Sequence, residues 1–264
     1  MKVQVLVSAM NQDPKALVKK MNLSSDAVII NQCDREDKVQ FTFRDREIVC
    51  YSFPERGVGK SRNSALKRAD RDICLFSDED IVYTDDYEEQ IVQEFEQNPK
   101  ADMLVFNIEV EESRRTYLNT ERKRVHFYNC GRYGAVSFAF RTEKLKESGV
   151  QFSLLFGGGA KYSNGEDSLF MKEFMSKGYH VFTAPVTIGR EEAGDSTWFQ
   201  GYTEKFFFDR GVLYLFLYGI LAPLMALRFL VAHRDKMCRG IPLKKAYAIM
   251  KKGITQGKKE KMST

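Results

Sequence analysis

The sequence predicts an α/β fold in which a mostly parallel sheet is covered by helices on both faces. Short apolar runs of strand length recur between residues 3 and 186, and helix-like segments lie between several of them. The runs are almost continuously apolar, as is typical of strands that are buried on both faces of a parallel sheet. With 264 residues, 43% of them hydrophobic, the chain is long enough to bury one sizeable core.

The elements follow in order along the chain. A helix over residues 84–97 carries regularly spaced apolar residues on one face, with Thr84 as its predicted N-cap, and a second helix over 167–177 ends before Gly178. In such folds ligands bind beyond the carboxyl ends of the strands, so the residues that follow each strand are the first candidates for function. The predicted strands begin at Val3, Ala27, Glu47, Ile73, Met103 and His180.

Three consecutive carboxylates follow the fourth predicted strand, in the run DICLFSDEDIVY. Asp78, Glu79 and Asp80 concentrate negative charge, which a divalent cation would relieve, and hard oxygen ligands suit Mg²⁺ or Mn²⁺ bound to phosphates. The alternative is a solvated acidic turn that leads into the next helix.

A basic, glycine-containing loop follows the third predicted strand, in the run PERGVGKSRNSALKRA. Its glycines allow close approach of the backbone, and Arg56, Lys60 and Arg62 supply positive charge near the start of a helix, as an anionic ligand requires. The spacing is not that of a P-loop. The loop is therefore either half of a nucleotide diphosphate site or an ordinary glycine turn with solvated basic side chains.

A second glycine-rich run, FGGGAKYSNGED, places Glu166 and Asp167 at the beginning of a predicted helix. One of the two carboxylates is a candidate general base, held beside a loop that could close over a substrate. The alternative is that Asp167 serves only as an N-cap.

Together these motifs resemble those of a family 2 glycosyltransferase of the GT-A fold, of the bacterial type that assembles capsular or other surface polysaccharide. The resemblance extends over roughly residues 3–200. It rests on four motifs in order, namely ERGVGKSRNSAL, SDED, GRYGAVSFAFRTEKL and GGGAKYSNGED.

The resemblance implies roles for individual residues. Asp80 would coordinate Mn²⁺ or Mg²⁺ on the diphosphate of a nucleotide sugar, and Asp78 would lie at the metal or the ribose. Asp167, or alternatively Glu166, would deprotonate the acceptor hydroxyl. Further donor-binding residues would be Asp34, Arg56, Arg62 and Asn63.

Three parts of the implied site depart from the family pattern or stay open. Asp34 is the candidate for recognition of the base, with Gln32 as the alternative. A late histidine that binds metal in many relatives is absent, so Glu191, Glu192 or water would take its place. Trp198, the only tryptophan, is a candidate acceptor contact, with packing between segments as the alternative.

The C-terminal part of the chain is apolar and then basic. Residues 211–227 carry no charge, and as a helix they would span about 25 Å, short of a bilayer core of roughly 30 Å. They predict a segment that spans or dips into a membrane, or an interface between copies of the chain. Residues 228–264 have a net charge of +9, whereas residues 1–227 have a net charge of −4, and basic residues beside an apolar helix suit an anionic membrane surface better than nucleic acid.

We therefore predict a catalytic domain over residues 1–205 and a membrane-associating extension over 206–264. The N-terminus lacks the apolar region of a secretory signal, and the five cysteines are expected to be reduced, which places the protein on the cytoplasmic side of the cell membrane. The predicted reaction is inverting transfer of a sugar from a nucleotide sugar to a glycan, with a lipid-linked glycan as the expected acceptor. The alternatives are a nucleotidyltransferase and a non-catalytic protein that binds nucleotide sugars at the membrane.

Overall fold

The computed structural model describes residues 1–112, 115–192 and 201–263. Its centre is a single sheet in the order β3-β4-β2-β1-β5-β8-β7-β9-β6. The strands are β1 Val3–Met10, β2 Asp26–Gln32, β3 Asp37–Phe43, β4 Arg46–Phe53, β5 Ile73–Asp78, β6 Ile81–Tyr83, β7 Met103–Glu109, β8 Phe138–Arg141 and β9 Val181–Glu191.

The parallel part of the sheet confirms the predicted α/β class. Strands β4, β2, β1 and β5 are parallel neighbours, and β7 is parallel to β9. The other pairings, of β3 with β4, of β8 with β5 and β7, and of β6 with β9, are antiparallel, so the sheet is mixed. Strands β3, β6 and β8 were not among the predicted strands. Strand β3 alternates between exposed and half-buried residues at the edge of the sheet, so it lacks the continuous apolar run of a central strand.

Helices cover both faces of the sheet. Helix α3 begins at Tyr87 after Asp86, so the predicted N-cap at Thr84 is wrong, and the Thr84 hydroxyl donates instead to the Ile188 carbonyl at 3.4 Å. The helices are α1 Pro14–Lys20, α2 Val58–Arg68, α3 Tyr87–Gln97, α4 Thr142–Ser148, α5 Glu166–Ser176, α6 Glu204–Tyr218, α7 Ala222–Ala232, α8 Arg234–Met237 and α9 Leu243–Ser263.

Two apolar clusters fill the space between the sheet and these helices. One face of the sheet packs on α1 and α3, through side chains such as Leu17 and Phe95, and the other packs on α2, α4 and α5, through side chains such as Leu66 and Phe170. Alternate residues of β1 enter the two clusters, with Val5 in the first and Leu6 in the second. The buried sheet thus provides a rigid base for the loops at its carboxyl edge.

A third apolar cluster joins α6, α7 and α9 to residues of the second glycine-rich run. Helices α6 and α9 approach closely because glycines lie where they cross. A Cβ atom at Gly211 would collide with the Met250 carbonyl, and one at Gly253 would collide with the Phe208 carbonyl. The basic C-terminal segment is therefore a helix packed on α6, with its lysines on the outer face.

The apolar segment predicted at residues 211–227 divides into two differently packed halves. Its first half belongs to α6 and is largely buried, whereas α7 exposes several large apolar side chains. The stretch Glu204–Ala232 is long and apolar enough to cross a membrane by length and composition, a test that core helices of soluble proteins also pass.

Candidate functional site

The candidate site lies at the carboxyl edge of the parallel strands. Strand β5 ends at Asp78, which pairs with Ser8 of β1, and the chain then turns through Glu79 and Asp80 into β6. The Glu79 carboxylate accepts a hydrogen bond from the Met10 backbone N–H at 2.7 Å, which fixes the turn against the end of β1. All three carboxylates of the turn are half-buried, so the turn is not the fully solvated one that the alternative interpretation requires.

A buried arginine joins three segments of the chain at this edge. Arg62 of α2 has a side chain that is only 5% exposed. Its Nη2 donates to both oxygens of Asp78 at 3.2 Å, and its Nη1 donates to Asp167 at 2.8 Å. A longer contact of 3.4 Å joins Nη1 to Glu166. The acidic turn, the basic loop and the second glycine-rich run therefore meet at a single guanidinium group.

Aromatic packing holds the Arg62 guanidinium in place. Its Cζ lies 5.2 Å from the centre of the Phe152 ring, which in turn stacks on Phe170 of α5 at 4.1 Å. A planar cation above an aromatic face is attracted by the ring, and more strongly where water is excluded. The Arg62 Nε is buried without a hydrogen-bond partner among the described residues. The orientation of the guanidinium thus depends on the three carboxylates and on the ring below it.

The two candidate bases have different surroundings. Asp167 accepts hydrogen bonds from Arg62 and from the Ala135 backbone N–H, and burial outweighs these contacts so that its pKa is raised. Burial, and then the charge of Asp167, raise the pKa of Glu166 to about 7. The Glu166 side chain is 12% exposed and that of Asp167 is 23% exposed. Asp167 is therefore the more accessible and the more firmly oriented of the two.

Glycines allow the two loops to pack on each other and on Glu166. A Cβ atom at Gly157, which has φ +105°, would lie 2.8 Å from the Glu166 Cδ, and a Cβ atom at Gly159 would lie 3.1 Å from the Gly57 Cα. The Val58 backbone N–H donates to the Gly158 carbonyl at 3.0 Å. The basic loop and the second glycine-rich run thus form one continuous wall beside the carboxylates.

Asp80 has the electrostatic surroundings expected of a cation ligand. Burial, followed by the charges of Asp78, Glu191 and Glu79, raises its pKa to about 6. Hard carboxylate oxygens in excess of the local positive charge suit Mg²⁺ or Mn²⁺, which commonly uses one or two carboxylates together with phosphate oxygens and water. Within the described ranges no group of three His, Cys, Asp or Glu side chains is arranged to hold a metal ion.

The candidate third ligands differ in their contacts. Glu191 lies opposite Ile81 in the pairing of β9 with β6, and its charge acts on Asp80. Glu192 forms an ion pair with Lys20 at 2.9 Å. The Glu191 charge therefore acts on Asp80, whereas the Glu192 carboxylate is paired with Lys20, and the choice of third ligand stays a prediction.

The predicted donor-binding residues on the β2 side lie at one rim of the site. Asp34 is exposed just after β2, and Arg56 is exposed while its guanidinium donates to the Cys33 and Glu55 carbonyls. Gln32, the alternative to Asp34, is buried and donates to the Gly57 carbonyl at 3.1 Å. Asp34 is therefore the more accessible of the two candidates for base recognition.

Asn63 has a structural contact that its predicted role did not include. Its amide donates to the Phe152 carbonyl at 2.9 Å and accepts from the Phe152 N–H at 2.7 Å. Both ends of the amide are thus used to fix the segment below Arg62, and donor binding by Asn63 stays a prediction. Trp198 lies outside the described residues.

Two contributors to the site were not predicted from the sequence. The Ala135 backbone N–H holds Asp167, and a backbone group leaves no signal in residue types. Asp209 of α6 is 1% exposed and accepts from the Ser163 N–H and hydroxyl at 3.0 and 2.9 Å. A lone acid within the apolar run FFFDRGVLYLF was the available signal, because a buried carboxylate must find donors. Asp209 ties the second glycine-rich run to α6.

Comparison with known proteins agrees with this geometry. Residues 23–150 match the family model for Glycosyl transferase family 2, a range that includes Arg62, Asp78 and Asp80. A search of curated protein sequences finds no match for this chain. The matched range is just under half of the chain's length, and the match is to a family of glycosyltransferases.

Solved structures show the same fold at low sequence identity. Residues 1–349 of TarS from S. aureus, in complex with UDP-GlcNAc, match with a TM-score of 0.59 and 16% identity, over 91% of this chain and 74% of that chain. The mannosyltransferase PcManGT from Pyrobaculum calidifontis, in complex with GDP-Man and Mn²⁺, matches with a TM-score of 0.55 and 13% identity, over 98% of this chain and 88% of that chain. These similarities confirm the GT-A-like architecture.

Proposed function

We propose that this chain is an inverting, metal-dependent glycosyltransferase that moves a sugar from a nucleotide-sugar donor to a hydroxyl of a lipid-linked glycan in the synthesis of a bacterial surface polysaccharide. The observation that carries the proposal is the meeting of Asp78, Glu166 and Asp167 at Arg62, beside the half-buried Asp80. This arrangement provides carboxylates for a metal and for a base at one edge of a GT-A-like sheet.

The donor would bind between the acidic turn and the basic loop. Asp80, with Asp78 and Glu191 near it, would hold Mn²⁺ or Mg²⁺, and when bound such an ion neutralises charge on a leaving diphosphate. The complexes of the structural neighbours with UDP-GlcNAc and with GDP-Man and Mn²⁺ support this class of donor. Arg56 and Asp34, exposed at the rim, would contact the nucleotide.

Asp167 would act as the general base. Its hydrogen bonds from Arg62 and Ala135 orient it, and its raised pKa makes it a stronger proton acceptor than an ordinary aspartate. It would take the proton of the acceptor hydroxyl while that oxygen forms a bond to the anomeric carbon. The bond from this carbon to the diphosphate oxygen breaks at the same time, so nucleoside diphosphate leaves and the configuration inverts. Glu166 is more deeply buried, and burial together with the charge of Asp78 would keep the pKa of Asp167 high.

The proposal is tested by neutralising each carboxylate separately. Asp80→Asn should abolish the Mn²⁺-dependent rise in melting temperature that a nucleoside diphosphate causes, because ligand binding stabilises the folded state. Asp167→Asn should keep that rise and lose transfer by a factor of about 10² or more, since it removes only the base. Glu96→Gln, which neutralises an exposed acid on α3, is the matched control and should change neither property.

The products separate this reaction from its rivals. Release of nucleoside diphosphate and a glycosylated acceptor supports sugar transfer, whereas release of pyrophosphate would show a nucleotidyltransferase. A rise in melting temperature with Mn²⁺ and nucleotide sugar, but no turnover on any lipid-linked glycan tested, would show a protein that only binds the donor.

A further inference from the structure

Helix α7 presents an apolar surface to solvent. Ile220, just before the helix, is 95% exposed, Leu224 is 63% exposed and Val231 is 61% exposed. The opposite side of α7 is buried in the third apolar cluster through Ala222, Ala226 and Leu230. A row of large apolar side chains on the outside of an already packed helix is typical of a surface that contacts a membrane or a protein. The exposed side chains, together called the α7 face, are Ile220, Leu221, Leu224, Leu227 and Val231.

A cation lies in an aromatic cluster behind the α7 face. The Arg210 Cζ lies 5.2 Å from the Phe206 ring and 5.2 Å from the Phe229 ring of α7. Its Nε is buried and has no hydrogen-bond partner among the described residues. Burial lowers the pKa of the Arg210 guanidinium, and Tyr214, Tyr218 and Tyr202 lie near it.

Arg228 and His233 lie beside the same aromatic cluster. Arg228 lies near Tyr214 and Tyr218, and the His233 ring lies 5.0 Å from the Phe229 ring. Burial, followed by the charges of Arg210 and Lys236, lowers the pKa of His233. This group, called the Arg210 cluster, consists of Arg210, Arg228 and His233 with the surrounding tyrosine and phenylalanine rings.

Among the described residues, the acids closest in sequence to the Arg210 cluster have other partners. Asp209 precedes Arg210 in the sequence but is held by Ser163 and by Lys205, at 2.6 Å. Asp235 of α8 contacts Arg234 at 3.5 Å and is largely exposed. In the described part of the chain, neither Asp209 nor Asp235 forms an ion pair with Arg210. An anion placed here would gain charge interactions that the protein itself does not supply.

We propose that the α7 face lies in the interface of an anionic bilayer and that the Arg210 cluster binds the phosphate of a lipid headgroup there. The apolar side chains would enter the boundary between headgroups and acyl chains, as interfacial helices do, and the arginines would lie at the level of the phosphates. The lysines on the outer side of α9, such as Lys251 and Lys258, would add attraction to the same surface. The inference extends the proposed function, since it identifies the surface on which a lipid-linked acceptor would be met.

The packing of α6 favours this arrangement over a helix that crosses the bilayer. The close contacts at Gly211 and Gly253 hold α6 against α9, and Asp209 holds it against Ser163. A spanning helix would have to break all of these contacts and expose the charge of Asp209 to lipid. A helix that lies in the interface keeps them.

Sedimentation of the full chain with lipid vesicles tests the inference. Wild-type protein should sediment with vesicles of phosphatidylcholine mixed with phosphatidylglycerol, and poorly with phosphatidylcholine alone. Leu224→Glu should weaken binding to the anionic vesicles by about tenfold or more, because it removes an apolar side chain that would enter the bilayer and adds a negative charge that anionic lipids repel. Arg228→Gln should weaken it by about fivefold, the effect of one basic residue near an anionic surface.

Matched variants keep the test specific. Leu118→Glu alters a leucine of similar exposure far from α7 in the sequence, and Lys100→Gln removes one exposed charge outside the cluster. Both should bind like the wild type. Equal binding by Leu224→Glu and wild type, or equal binding to the two kinds of vesicle, would overturn the inference.

A second measurement tests whether the α7 face is instead a contact between copies of the chain. Wild type and Leu224→Glu should have the same mass in solution by light scattering, and a dimer that Leu224→Glu dissociates would overturn the inference. Donor binding should be the same in wild type and Leu224→Glu. It is measured, without vesicles, as the rise in melting temperature that Mn²⁺ and a nucleoside diphosphate cause. Failure of the membrane inference and failure of the proposed function therefore give different results.

Discussion

Replacing Arg62 by methionine should destabilise the protein in a manner that depends on pH. Methionine keeps much of the apolar contact with Phe152 but removes the only charge that contacts Asp78, Glu166 and Asp167 together among the described residues. Breaking a buried ion pair by removing one partner costs about 3–5 kcal/mol, because the remaining charge is left unpaired.

The exposure of each carboxylate sets the size of the loss in the free energy of unfolding that Arg62→Met should cause. Asp78 has a side chain that is 36% exposed, so solvent screens its contribution, whereas Glu166 and Asp167 are 12% and 23% exposed. The loss should therefore lie near the lower end, at about 3 kcal/mol at pH 8.

The loss should decrease as the pH falls. Arg62 lowers the pKa values of both Glu166 and Asp167, so without it these pKa values rise further above those of the unfolded chain. The folded variant then binds more protons than the unfolded chain from the ordinary carboxyl pKa upward, through the range in which Glu166 titrates. The free energy of unfolding of the variant must then fall as pH rises through this window. At pH 5, where Glu166 is protonated, we expect a loss of only about 1 kcal/mol.

Urea unfolding followed by circular dichroism at pH 5 and pH 8 measures both values. Arg62→Lys is the matched variant, because it keeps the positive charge but loses the planar guanidinium that contacts several carboxylates at once. Its free energy of unfolding should lie between those of wild type and Arg62→Met. A loss that is equal at the two pH values, or below about 1 kcal/mol at pH 8, would refute the role of Arg62 as the neutralising centre of the site.

Three further predictions follow from the packing around the site. Burial and Asp167 raise the pKa of Glu166 to about 7, so wild-type melting temperature should fall from pH 5 to pH 8 and Glu166→Gln should reduce that fall. Asn63→Ala removes both hydrogen bonds to Phe152 and should cost about 1–3 kcal/mol in urea unfolding, while a contact with the nucleotide would weaken nucleoside diphosphate affinity in addition. Gly253→Ala forces a Cβ against a backbone carbonyl of α6 and should cost about 1–3 kcal/mol, whereas Gly240→Ala, with nothing near its Cβ, should not destabilise.

The C-terminal helices contribute to the site as well as to the third apolar cluster. Asp209 of α6 accepts hydrogen bonds from Ser163. Leu213 of α6 packs directly on Gly165, because a Cβ atom at Gly165 would lie 2.5 Å from the Leu213 side chain. Gly165 directly precedes Glu166, so the position of the candidate bases depends on α6. The predicted boundary between residues 205 and 206 therefore separates parts of the chain that share an apolar cluster.

The parallel strands, and the order of the motifs that follow them along the chain, were predictable from the sequence. A strand buried on both faces requires a continuous apolar run, and such runs mark β1, β2, β5 and β7 directly. The strands β6 and β3 could not be predicted in this way, because β6 has only three residues and β3 alternates between exposed and half-buried positions at the edge of the sheet. The motifs after these strands could be chosen as functional candidates because ligands bind at the carboxyl edge of such sheets.

The sequence by itself determined which residue types were available for chemistry: the acidic turn, the basic loop and the pair Glu166-Asp167. Only the tertiary structure decided that Arg62 neutralises carboxylates rather than facing solvent, because its partner Asp167 is 105 residues away along the chain and the two meet only through the order of the strands. The same holds for the apolar segment after residue 210. Its composition predicted burial in either lipid or protein, and close packing at glycines decided that α6 is buried in protein while α7 keeps an exposed apolar face.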